Sequence, residues 1–271
     1  MLWSKVIGAG GAGGAGGVGG PEGWNVSTAD FVHSVPVAAQ GTDPAGVFFK
    51  PDGLKMYIVE YAQDYVNEYD LSTAWDVSTA VFFQRFFVGT RDTTMTGIFF
   101  KPDGLKMYVL GYTYNSVEEY DLSTAWDIST SVYIRSVGVG VSIPIGLFFK
   151  PDGTKMYITN YSNNTIYEYN LSTPWSLSAV SYVRLRNAST PTGIFFKPDG
   201  LKMYVENFSL SKVDEYDLNT AWNVSTAVYI RSKAVGAQET QPLGLSFKPD
   251  GTKMYVVGVS GDDVNEYDLT E

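Results

Sequence analysis

The string Phe-Phe-Lys-Pro-Asp-Gly at positions 48–53 recurs four more times in near-identical form, ending at Gly104, Gly153, Gly200 and Gly251. The intervals are 51, 49, 47 and 51 residues. A period of this length confines the chain to repeat architectures, in which each unit buries its core against its neighbours. Every copy continues into Lys-Met-Tyr (Tyr57, Tyr108, Tyr157, Tyr204, Tyr255) and then Glu-Tyr-Asp/Asn-Leu (Tyr69, Tyr120, Tyr169, Tyr216, Tyr267). Four copies reach a tryptophan: Trp75, Trp126, Trp175 and Trp222.

One unit reads as four short strands. Strand A is Gly97–Lys101, ended by Pro102-Asp103-Gly104, where proline presets φ and glycine supplies a positive one. Strand B is Lys106–Leu110, strand C Val117–Leu122 and strand D Ser131–Arg135. Four strands every ~40–50 residues, with no sustained helical periodicity, predict an all-β propeller with four antiparallel strands per blade.

The two ends of the chain complete each other. The fifth copy stops at Glu271, just past strand C, and lacks the tryptophan turn and strand D. Gly23–Ala29 (Gly-Trp-Asn-Val-Ser-Thr-Ala) matches Ala221–Ala227, and Asp30-Phe31-Val32-His33 follows it. The N-terminal segment is therefore expected to pair beside the last strand C, from Trp24 to Val35, closing a five-bladed ring over residues 23–271. Closure removes the edges an open array would present. Residues 1–22, with their glycine and alanine run, read as a flexible tail.

The Phe-Lys-Pro-Asp-Gly-x-Lys-Met-Tyr motif followed by Glu-Tyr-Asp-Leu-Ser-Thr resembles the YVTN-type propeller repeats of lactonase-like and surface-layer proteins, over residues 24–271. That resemblance implies the fold and leaves activity open, because such repeats serve many roles. Five blades of this size also resemble the tachylectin-2 class of propeller lectins, which implies multivalent sugar binding. The Val6–Gly11 stretch is similar to glycine-rich segments of phage tail fibres, implying an extracellular or virion setting.

Composition removes several function classes. The formal net charge of −10 opposes binding to phosphate backbones and anionic membranes, so no nucleic-acid partner is expected. No apolar run approaches the ~18 residues of a membrane helix, so no membrane insertion is expected. Without cysteine, thiol catalysis and Cys-ligated metal are unavailable. With His33 as the single histidine, neither a Ser-His-Asp triad nor a histidine-ligated metal centre is expected, and no cofactor is implied. His33 aligns with Arg135 and Arg231 on strand D, a surface position. For an enzyme, the carboxylate pair would be drawn from the loop residues Asp43, Asp92 and Glu239.

The A–B and C–D turns are nearly constant, whereas the D–A and B–C loops differ in length and content. In an antiparallel blade these two sets lie on opposite faces, so one face is uniform and the other variable. A binding site is expected on the variable face, where loops sit on a rigid scaffold. Near the end of strand B an aromatic recurs as Tyr61, Tyr112, Tyr161 and Phe208, with Val259 in the fifth copy. These rings and the polar loop residues Asp43, Asp64, Asp92, Asn115, Asn163 and Gln241 suit a sugar's apolar faces and hydroxyl edges. Alternatively the rings pack between blades. The expected role is a non-enzymatic binding or display module, a monomeric ring for glycans or a surface protein. The alternative is a structural or protein-interaction propeller of a viral or cell-surface assembly, and a glycoside hydrolase ranks third. The five tryptophans and the constant acids Glu68, Glu119, Glu168, Glu215 and Glu266 are read as structural, the acids pairing with lysines across strands.

Overall fold

The computed structural model describes residues 23–270. Its five four-stranded antiparallel sheets are the blades of a propeller, with no α-helix among the described residues. Blade 5 takes its outer strand from the N-terminus, β1 (Asp30–Pro36). Blade 1 is β2 (Pro44–Phe49), β3 (Lys55–Glu60), β4 (Tyr65–Leu71) and β5 (Ala80–Phe87). Blade 2 is β6 (Met95–Phe100), β7 (Lys106–Gly111), β8 (Ser116–Leu122) and β9 (Ser131–Gly138). Blade 3 is β10 (Pro144–Phe149), β11 (Lys155–Asn160), β12 (Thr165–Thr173) and β13 (Ser176–Asn187). Blade 4 is β14 (Pro191–Phe196), β15 (Lys202–Asn207), β16 (Lys212–Leu218) and β17 (Ala227–Ala234). Blade 5 is β18 (Pro242–Phe247), β19 (Lys253–Gly258), β20 (Asp263–Asp268) and β1.

The innermost strands touch in the cycle β2, β6, β10, β14, β18 and back to β2, so the ring is closed. At the seam Asp30 pairs with Asp268, Ser34 with Asn265 and Pro36 with Asp263. The paired stretch is shorter than the expected Trp24–Val35, because Val26–Thr28 forms a 3-10 turn instead. Asn25 caps that turn, its Oδ1 accepting from Ser27 N at 3.1 Å. Asp76, Asp127 and Asn223 do the same in three other blades. Blade 3 has Ser176 at this position, and there the β12–β13 ladder runs on to Thr173–Ser176 without a 3-10 turn. The capping Asx side chain decides which local structure forms.

Two repeated contacts lock each blade to the next. Tyr57 Oη donates to the carbonyl of Trp126 in the following blade at 2.7 Å, and Tyr108, Tyr157 and Tyr255 do the same to Trp175, Trp222 and Trp75. The fifth bond, from Tyr204, lands on Trp24 at 2.6 Å, so the N-terminal segment is read by blade 4 as an ordinary blade. Burial holds these phenols well above their usual range, keeping them as donors. The constant acids form the second lock. They do pair with lysines, as Glu119 with Lys106 at 2.6 Å. In four of the five the other oxygen crosses to the next blade, Glu119 accepting from Leu177 N, Glu168 from Val224 N, Glu215 from Val26 N and Glu266 from Val77 N, whereas that of Glu68 accepts from Gln84 of its own blade.

The tryptophans lie over the repeat's glycines with φ between 62° and 78°. A Cβ on Gly153, itself at φ +73°, would sit 2.4 Å from Trp175. That glycine therefore serves both the turn and the ring stacked on it. Gly153→Ala is expected to cost at least ~2 kcal/mol, from strain at positive φ plus the clash. Chemical denaturation would measure it, and a loss below about 0.5 kcal/mol would show that the tryptophan is free to move aside.

Candidate functional site

The variable face is built from two kinds of loop. All five B–C loops have four residues (61–64, 112–115, 161–164, 208–211 and 259–262), so they vary in content only, against the expectation from sequence. The constant length has a cause: the fourth residue is always left-handed, at Asp64, Asn115, Asn164, Ser211 and Asp262. Asn and Asp tolerate that conformation better than most residues. The D–A loops do differ, with seven residues at 37–43, 88–94 and 235–241, five at 139–143 and three at 188–190.

Several of the polar residues expected to meet a ligand are instead committed to holding these loops. Asp92 is fully buried and accepts from Thr93 N at 2.8 Å, Tyr114 N at 2.9 Å and Ser116 Oγ at 3.0 Å. It has no surface to offer. Glu239 is equally buried and accepts from Gln241 N at 2.6 Å and Gly261 N at 3.2 Å. Asp64 Oδ1 accepts from Thr94 N at 2.6 Å, and Asn115 Oδ1 from Ile143 N at 3.2 Å. Asp43 is half-buried, its carbonyl accepting from Tyr61 N. Gln241 and Asn163 are exposed. Of the three carboxylates named for a hydrolase, only Asp43 retains surface on this face.

Tyr61, Tyr112, Tyr161 and Phe208 are half-buried. Tyr61 and Tyr112 lie with centroids 6.2 Å apart, and Tyr161 and Phe208 stand edge to face at 5.4 Å. Tyr61, Tyr161 and Phe208 pack with Val259 onto a core containing Ala45, Ile145 and Leu243. These rings are chiefly packing groups.

An open groove of roughly 620 Å³ lies between blades 3 and 4, where the shortest D–A loop, 188–190, leaves a low wall. Asn163, Asn164, Asn187 and Asn207 border it, with Tyr216 and Tyr229 on the blade 4 side. Arg186 lies 5.0 Å from the centre of the Tyr216 ring, and Lys212 pairs with Asp214 at 2.7 Å. Asn163 Nδ2 donates to Tyr167 Oη, and Asn164 Oδ1 accepts from Thr190 N. Tyr229 is half exposed, at 50%. Of these residues the sequence singles out Asn163, and both tyrosines are missed because strands C and D belong to the repeat pattern.

A second cavity opens on the uniform face, where no site was expected. Phe48, Phe99, Phe148 and Phe195 circle the axis, Ser246 breaks the ring, and Pro51, Pro102, Pro151, Pro198 and Pro249 form its rim. Neighbouring rings meet edge to face at 5.2–5.3 Å. The room inside is about 80 Å³, and apolar atoms dominate its lining.

Three buried acids also escaped the sequence reading. Glu60, Glu118 and Glu206 are fully buried, each with one carboxyl oxygen unpartnered. Burial pushes Glu60 and Glu118 up to about 7, and drives Glu206, which also faces Glu239, well above the usual range. An acid raised on folding binds its proton more tightly in the native state. Its stabilising effect is thus complete below pH 4.5 and lost as pH rises through about 7. Glu118→Gln is expected to be more stable than the parent at pH 8, by up to about 3 kcal/mol, and equal to it at pH 4. Urea titrations at the two pH values would check this. His33, expected at the surface, is half-buried between Asp76 and Glu266.

These features define a five-bladed β-propeller with a polar interblade groove and an apolar axial funnel. No family model and no curated protein matches the chain. Solved structures do. A protein from Lactobacillus plantarum aligns with a TM-score of 0.54 at 15% identity, covering 83% of this chain and 67% of that one. A protein of unknown function from Desulfotomaculum acetoxidans gives 0.52 at 19% identity, covering 82% and 67%. A provisional 6-phosphogluconolactonase from Bacteroides fragilis gives 0.52 at 14%, covering 84% and 66%. The chain spans about two thirds of these structures, and at such identities the likeness is one of fold.

Proposed function

We propose that the chain is a non-catalytic recognition module that binds carbohydrate in the groove between blades 3 and 4, in keeping with a role at a cell or virion surface. One observation carries the reading: four asparagines and the Arg186 guanidinium converge beside Tyr216 and Tyr229. Amides supply donors and acceptors at fixed geometry for hydroxyl pairs, and tyrosine rings supply apolar faces for C–H groups. The commitment of Asp92 and Glu239 to loop closure argues in the same direction, removing two of the three carboxylates that a glycosidase reading would draw on.

A glycan array followed by titration of the best ligand tests this. Tyr229→Ala and Asn187→Ala are expected to weaken binding roughly tenfold each, equivalent to about 1.4 kcal/mol. Their melting temperature should stay unchanged, because both side chains are exposed. A blank array, or variants that bind as the parent does, contradicts the proposal. The axial funnel supports a second reading, a docking point for a partner protein, since exposed Leu54, Leu105 and Leu201 lie just past its rim on the A–B turns.

A further inference from the structure

At each junction between blades, a side chain from the outer strand reaches the constant glutamate of its own blade. In blade 2 it is Arg135, with Nε 3.5 Å from Glu119. In blade 3 it is Arg184, 3.6 Å from Glu168, and in blade 4 Arg231, 3.6 Å from Glu215. Arg231 also donates to Asn25, the capping residue of the next blade, at 2.7 Å. In blade 1 the residue is Gln84, whose amide nitrogen donates to Glu68 and to the cap Asp127, both at 2.9 Å.

The seam between blades 5 and 1 differs. There the residue is His33 on β1, facing Glu266 on β20 and the cap Asp76 of blade 1. Its Nε2 lies 3.3 Å from Glu266 Oε2 and 3.6 Å from Asp76 Oδ1. This nitrogen is buried yet closes a hydrogen bond to neither, unlike Gln84 in blade 1. All three ligand atoms lie within 4.8 Å of one another, the one such group among the described residues.

We infer that His33, Asp76 and Glu266 form a site for a divalent transition metal, zinc in the first instance. Zinc binds imidazole nitrogen and carboxylate oxygen at ~2.0–2.2 Å, which places neighbouring ligands of a tetrahedron ~3.3–3.6 Å apart. The two nitrogen-to-oxygen separations match that edge length. Two carboxylates and one imidazole are a three-ligand set, and with the His33 and Asp76 side chains 30% and 35% exposed, water would take the fourth position. Lys253, bonded to the other oxygen of Glu266, fixes that carboxylate from behind. One histidine cannot build a metal centre out of histidines alone. Folding adds two carboxylates from distant parts of the chain.

The location gives the ion a purpose. Its ligands come from the N-terminal strand, the C-terminal strand and blade 1, so one metal would tie both chain ends to the first blade. Binding to the closed ring alone stabilises the closed ring by mass action.

The test uses zinc chloride and the full chain at pH 7. His33 is the only histidine, so its imidazole signals in a nitrogen-15 spectrum report on this site alone. The expected result is saturation at one equivalent with a large shift of that imidazole, and a melting temperature about 5–10 °C higher at a hundredfold excess over Kd. His33→Arg installs the residue of blades 2 to 4 and should fold normally while losing the zinc response. Asp76→Asn, which matches Asn25 and Asn223 and keeps the cap, should weaken zinc binding at least tenfold. Zinc binding that leaves the imidazole unmoved, or an equal thermal shift in His33→Arg, would assign the ion to the acidic surface and overturn the site. So would the absence of any response in the parent chain.

Discussion

Deleting residues 1–36 is expected to lower stability by several kcal/mol and expose the chain to aggregation, while deleting residues 1–22 leaves stability unchanged. The longer deletion removes β1 from β20, takes the carbonyl of Trp24 from Tyr204, and takes Val26 N from Glu215. Val26 and Ala29 are fully buried, packed with Tyr204, Leu245 and Tyr267. Losing these two side chains alone removes about 2–3 kcal/mol of apolar burial. The strand itself adds a row of backbone hydrogen bonds, and β20 would become an unprotected edge. Guanidinium unfolding of the two truncations, with light scattering alongside, checks both halves. Identical curves would mean that the segment from Trp24 to Pro36 is not part of the ring.

Glu119→Ala is expected to cost ~3–5 kcal/mol, the range for removing one member of a buried ion pair. Glu119 is 1% exposed and holds three groups: Lys106, Arg135 and the amide of Leu177 in the next blade. The alanine variant leaves the Leu177 amide buried without an acceptor and two cations facing each other. Glu119→Gln keeps the acceptor for Leu177 and should lose clearly less. Equal losses in the two variants would show that charge alone matters. A loss below about 1 kcal/mol would reduce this residue to a surface pair.

The blade count and the closure were legible because they depend on signals every unit repeats: a Pro-Asp-Gly turn, alternating strands, and an N-terminal Gly-Trp-Asn-Val-Ser-Thr-Ala that fits the gap at the C-terminus. What escaped was set by contacts between units. The glutamates looked like partners for lysine because the register places them opposite strand B, and nothing in the sequence says that the second oxygen crosses to the next blade. Glu60 and Glu206 look like ordinary strand-end residues until the ring buries them. The candidate groove depends on a gap left by the three-residue loop at 188–190, which the 47-residue interval before Gly200 foreshadowed without locating. Asp92 and Asp64 were misread for a related reason. A polar loop residue in a sequence looks free, yet neighbouring loops need acceptors for their amides, and these carboxylates provide them, Asp64 for Thr94 N and Asp92 for Tyr114 N.

Amide hydrogen exchange across the seam tests ring closure most directly, because it needs no substitution. The amides of 30–35 bonded to β20 are expected to exchange as slowly as those of 263–268, both requiring opening of the whole blade. Exchange of residues 30–35 at the rate of an unstructured peptide, with 263–268 still protected, would contradict closure.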